Sequence, residues 1–107
     1  MSADFPWLSH YQQGVSPNIE YPEFSLAEML ENTAEKYPDN IAVVFHNIKL
    51  SYSSILNMVH RLASGLSALG IKKGDRVAIM LPNCPQWVIS YYAVLKLGAV
   101  VVQTNPM

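Results

Sequence analysis

Cysteine is all but missing from this chain: Cys84 is the only one among 107 residues. A single thiol excludes an intramolecular disulfide framework and a thiolate set for structural zinc, and it suits a reducing compartment. Charge is scarce too, at 14% of residues, and nearly balanced, with seven Lys and Arg against eight Asp and Glu. A net charge of -1 gives neither nucleic acid nor anionic lipid an electrostatic footprint. The opening "MSADFPWLSH" lacks both a basic region and an unbroken apolar stretch, so it reads neither as a secretory signal nor as a membrane span. A soluble cytoplasmic protein is the expectation.

What the chain does have is apolar residues, 50% of the total. At this length one modest core is possible, with about 65% of the unfolded chain's surface hidden on folding. Residues 1–24 set Pro6, Pro17 and Pro22 among Phe5, Trp7, Tyr11, Tyr21 and Phe24 without helical or strand periodicity. They read as an extended aromatic arm laid over the body, or as a frayed terminus.

"FSLAEMLENTAEKYPDN" carries the clearest local signal. Ser25 followed by Glu28 is a capping box, with Phe24 and Met29 at the staple positions. Leu26, Met29, Leu30, Ala34 and Tyr37 recur at helical spacing as a buried stripe, and Pro38-Asp39 ends the helix. Glu28, Glu31 and Glu35 fall on the opposite side, where carboxylates form a solvated face rather than an acid or metal cluster. "IAVVFHNIKLSY" predicts a β-hairpin with strands at 41–45 and 49–52 and Asn47 at positive φ in the turn. His46 at the turn has no second ligand at metal spacing and reads as a surface histidine.

Over 53–69, Ile55, Val59, Leu62, Leu66 and Leu69 mark a second amphipathic helix, widened by Met58 and Ala63 and ended by Gly70. His60 and Arg61 lie off that stripe and read as exposed. A strand at 76–81, a helix capped by Asn83 with Pro85 in its first turn and running to 97, and a strand at 99–103 make a βαβ unit with parallel strands. Both strands are apolar at successive positions and require cover on both faces. The helix between them, with Trp87, Val88, Ile89, Tyr91, Tyr92, Val94 and Leu95 around most of its circumference, reads as buried. The pattern is that of an inner part of a larger layered domain.

Each candidate for chemistry has a plainer reading. "GLSALGIK" at 65–72 lacks the Lys directly after the second Gly that a phosphate loop needs, and it ends a helix instead of opening one. Ser67 has no strand-to-helix elbow to expose it as a nucleophile. Lys72, Lys73 and Arg76 read as a solvated turn. Cys84 at a helix N-terminus has no histidine placed by sequence and reads as a small half-buried residue. Trp87, Tyr91 and Tyr92 read as core aromatics. No residue is assigned a catalytic, cofactor-binding or metal-binding role.

In order and spacing, "LSYSSI" at 50–55, "GIKKGDRVAIMLPNCPQW" at 70–87 and "LKLGAVVVQTNP" at 95–106 resemble the opening of the AMP-forming acyl-CoA synthetases. These belong to the adenylate-forming superfamily, with luciferases and peptide-synthetase adenylation domains. The run from Trp7 to Pro22 is most similar to bacterial long-chain fatty acid–CoA ligases. The resemblance implies an α/β fold, the N-terminal portion of a large layered domain containing a β-hairpin, amphipathic helices and a parallel βαβ unit. It divides the chain into the arm at 1–24 and an incomplete subdomain of an AMP-binding domain at 25–107. It also implies a parent enzyme that joins a fatty acid to AMP from ATP, with magnesium, and passes the acyl group to coenzyme A. The family's phosphate loop, adenine and ribose contacts and catalytic lysine have no counterparts here, so the chain alone is expected to bind none of these cofactors and to be inactive. Its expected partners are the remainder of the parent enzyme and, through an exposed sheet edge, other copies of itself. The parent is expected in the cytoplasm, with peripheral membrane contact as a variant. Alternatives are a medium-chain or aromatic acyl-CoA ligase fragment, or a non-catalytic α/β interaction module.

Overall fold

The computed structural model describes residues 5–16 and 18–106. A short 3₁₀ turn, Pro6–His10, is followed by α1 (Leu26–Lys36), a hairpin of β1 (Ile41–Phe45) and β2 (Ile48–Ser51), α2 (Tyr52–Ala68), β3 (Arg76–Ile79), α3 (Pro85–Lys96) and β4 (Val100–Gln103). Among the described residues the strands form two separate two-stranded sheets, the antiparallel hairpin and a parallel β3–β4 pair. The predicted βαβ unit is therefore present with its strands parallel. The 3₁₀ turn was not expected from sequence.

Local chemistry explains most element ends. Ser25 Oγ accepts the Glu28 N–H at 3.1 Å and donates to Glu28 Oε1 at 3.3 Å, so the reciprocal half of the box closes on the hydroxyl rather than on the Ser25 backbone. Ser51 caps α2 in the same way, accepting the Ser54 N–H at 3.2 Å. Both α2 and α3 end in one motif. After α2, Gly70 (φ 99°) donates to Ser67 O and Ile71 donates to Leu66 O. After α3, Gly98 (φ 74°) donates to Leu95 O and Ala99 donates to Val94 O. Each is a Schellman cap with its apolar contact, which satisfies the last carbonyls and turns the chain toward the next strand. That is the structural meaning of "GLSALGIK".

Some expectations are corrected. The positive φ of the hairpin turn falls on His46, at 54°, not on Asn47. His46 is the first of two loop residues between the paired Phe45 and Ile48, and histidine tolerates that region better than most side chains. The N-cap of α3 is Cys84, without a side-chain cap bond, so Asn83 does not cap it. Pro85 occupies the first turn, where its missing N–H costs little.

The core lies between the three helices. Leu30, Ile55, Val59, Ala63 and Ala93 form one cluster, against which the hairpin packs Ala42, Val43 and Leu50. A second cluster, Ile79, Val94 and Ala99, joins α3 to the inner face of β3–β4. Several stripe residues are not enclosed in the core: Leu26, Met29, Tyr37, Met58 and Leu69 are exposed. Helix α3 is half-buried around most of its circumference, with only Pro85, Ala93 and Val94 fully covered. The parallel sheet is covered on one face alone. Register pairs Val77 with Val101 on the covered side and Ala78 with Val102 on the other. There Met80 is 61%, Val100 49% and Val102 41% exposed. In the arm, Phe5 and Trp7 stack on each other at 4.4 Å, and both are exposed, as are Tyr11, Tyr21 and Phe24.

Candidate functional site

Parallel strands end their chains at one edge of the sheet, and the crevice outside their carboxyl ends is where open α/β sheets bind ligands. Here β3 and β4 both run into short Pro- and Asn-containing segments, and a crevice of about 520 Å³ opens between those segments and the start of α3. Thr104 N–H donates to Ile79 O at 3.0 Å, which extends the ladder past β4 and fixes the crevice floor. Leu81, Pro82, Trp87 and Pro106 supply apolar walls, and Asn83, Gln103, Thr104 and Asn105 supply polar ones. Trp87 is held by stacking on Tyr91 (5.0 Å, 14°), which meets Tyr92 edge-on at 5.3 Å. Burial, then the neighbouring Tyr91 and Tyr52, raise the Tyr92 pKa above its ordinary value.

Among the described residues, no side chain with an acidic or basic group lines this crevice. It offers amides, one hydroxyl and an indole face, which can orient a ligand by hydrogen bonding and contact. Proton transfer at neutral pH requires a titrating group within hydrogen-bond reach, and none is in the lining. Residues weighed from sequence are scattered. Lys72, Lys73 and Arg76 are exposed, and the Lys72 N–H closes a turn onto Asp75 Oδ2 at 2.9 Å. Cys84 is half-buried. Ser67 is exposed on the last turn of α2. Among the described residues, no group of three or more His, Cys, Asp or Glu side chains is placed to hold a metal ion.

One polar cluster was missed. Glu31, expected on a solvated face, is half-buried where the three helices meet: its Oε1 accepts from Lys96 Nζ of α3 at 2.5 Å and lies 3.5 Å from His60 Nε2 of α2. The Lys96 hydrogen bond holds the Glu31 carboxyl below its ordinary pKa against the opposing effect of burial. Lys96 is 65 residues away in sequence, so no local pattern points to it. The crevice did have a legible signal, since Asn and Pro follow each of two parallel strands.

A sequence profile described as AMP-binding enzyme matches residues 30–107. The long-chain-fatty-acid–CoA ligase of Bacillus subtilis is 45% identical over 107 residues, 100% of this chain and 19% of that protein. The long-chain-fatty-acid–CoA ligase of Yersinia pestis is 36% identical over 94% of this chain and 18% of its own length. Among solved structures, the N-terminal subdomain of Klebsiella oxytoca NpsA superposes with a TM-score of 0.74 at 30% identity, covering 76% of this chain and 21% of that one. The Mycobacterium tuberculosis fatty acyl CoA synthetase gives 0.71 at 36% identity, covering 75% and 16%. The chain thus spans about one fifth of the length of the curated ligases it matches. The neighbours agree with the expected N-terminal α/β portion of adenylate-forming enzymes.

Proposed function

Since the chain belongs to the AMP-binding enzyme family, we propose that it forms part of an AMP-forming long-chain fatty acid–CoA ligase and contributes scaffold to it. The identity to the Bacillus ligase, which extends over the entire chain including the arm, is the observation that carries this reading. In the proposed reaction a fatty carboxylate attacks the α-phosphorus of ATP and releases pyrophosphate. The thiol of coenzyme A then attacks the acyl carbon and displaces AMP. Magnesium, when bound, offsets triphosphate charge. This chain's share is to hold β3, β4 and α3 in register and to present the crevice at their ends. The proton-transferring, triphosphate-binding and metal-binding groups are assigned to the rest of the enzyme.

The division into an arm at 1–24 and a subdomain at 25–107 belongs to the same proposal, as do a cytoplasmic location and, at high concentration, self-association of the isolated chain through its open sheet. Among the described residues no helix is long and apolar enough to cross a membrane.

A chimera tests the reading: this chain replaces the matching fifth of the Bacillus ligase, and thioester formation is assayed with palmitate, octanoate and benzoate. Palmitoyl-CoA formation at a rate comparable to the parent is expected. A folded chimera that makes no acyl-CoA counts against the reading, and a chimera whose preference moves from palmitate to octanoate or benzoate favours a medium-chain or aromatic ligase.

A further inference from the structure

Helices α2 and α3 end in the same glycine motif, and two residues before the glycine α2 has Ala68 where α3 has Lys96. Lys96 Nζ donates to Glu31 Oε1 of α1 at 2.5 Å, and His60 Nε2 of α2 lies 3.5 Å from the same oxygen. Helix α1 is a firm anchor for that carboxylate, because Leu30 and Ala34 bury it on the other side. From the end of α3 the connections run on into the parallel pair. Gly98 O accepts the Gly74 N–H at 3.1 Å, the Val100 N–H donates to Asp75 O at 2.7 Å, and the Thr104 N–H, at the floor of the crevice, donates to Ile79 O.

We propose that the Glu31–Lys96 pair is a conformational latch: it pins the C-terminal end of α3 to α1, and so holds the Gly98 turn, strand β4 and the crevice floor as one unit with the helices. The latch rests on the fold alone and stands or falls independently of the ligase reading. Its energetic logic is local. A pair about one-third exposed adds little to the stability of the whole chain. The last turn of a helix, however, opens at a free energy that begins near zero, and there the same contribution is a large share. The partners are 65 residues apart, so the pair makes a connection that neither helix makes through its own backbone. Lys96 also sits in the last turn of α3, where a cation is favoured, whereas α2 has no basic residue in its last turn. The end of α2 is therefore an internal reference, the same motif without the latch.

The test is amide exchange at neutral pH on the labelled 107-residue chain. The Gly98, Ala99, Val100 and Thr104 amides should exchange about two- to fivefold faster in Glu31→Gln and in Lys96→Met. Gly70 and Ile71, at the end of α2, should keep their rates in both variants. Lys96→Arg, which preserves the charge, should leave the rates at both helix ends as they are. The double variant Glu31→Gln/Lys96→Met should exchange no faster than either single one, because each removes the same contact. The latch is overturned if the single variants leave the Gly98 and Ala99 rates unchanged, or if the acceleration stops short of Val100 and Thr104. It is equally overturned if Gly70 and Ile71 accelerate as much, which marks a loss of global stability, or if the two effects multiply in the double variant, since the residues then act apart.

Discussion

Glu31 shows how far one side chain can depart from its local pattern. Helical spacing places it correctly on the face away from Leu30 and Ala34, yet that face meets α3, so the carboxylate binds Lys96. Its folded pKa lies below the ordinary 4.5, chiefly through the Lys96 hydrogen bond. The stabilisation is therefore fully present above about pH 4.5 and is lost as pH falls through the lowered folded value. Both partners are roughly a third exposed, so solvent screening limits the pair to less than about 1 kcal/mol. Urea unfolding of Glu31→Gln should show that small deficit at pH 7, and the deficit should shrink as the pH falls below 4.5 and through the lowered folded value. Gly98 was legible as a helix stop, but its second constraint was not: a Cβ there would lie 3.1 Å from Lys73 Cγ, in backbone already at φ 74°. Gly98→Ala should cost about 1–2 kcal/mol or more in chemical denaturation, from the left-handed backbone alone.

At the level of elements, periodicity and capping chemistry located the three helices, the hairpin and the parallel pair within a few residues. They did not say which apolar positions find a partner. Leu26 and Leu69 fit their stripes as well as Leu30 and Val59 do, but Leu69 is 82% exposed and Val59 2%. A period defines a face; burial depends on what other elements lie opposite it, and that information is non-local. The consequence is measurable. Ile55→Ala, at the junction of the helices and the hairpin, should lose about 2–5 kcal/mol of unfolding free energy. Leu69→Ala should stay within about 0.5 kcal/mol of wild type. The crevice was likewise written in the turns after β3 and β4, but its depth depends on Trp87 being stacked over Tyr91.

For the whole molecule, the radius of gyration is 18.1 Å, where a compact chain of this length would have about 13 Å. Part of the difference is the exposed arm. The other departure from a compact globule is the outer sheet face, where Val100 and Val102 are exposed and no helix among the described residues covers them. The sequence announced this through apolar residues at successive strand positions, because such a strand has no solvent side. Val102→Asp should cost the isolated chain about 1 kcal/mol, through strand propensity and lost partial burial, and reduce its binding of a hydrophobic dye. The claim that this chain is scaffold for an adenylating enzyme is tested most directly by fatty-acid-dependent ATP–pyrophosphate exchange, measured for the chain alone and combined with the Bacillus ligase lacking its matching segment. Background exchange is expected from either piece and palmitate-dependent exchange from the two together. Exchange by this chain alone, or none from the combination when the native Bacillus segment restores it, would contradict the scaffold role.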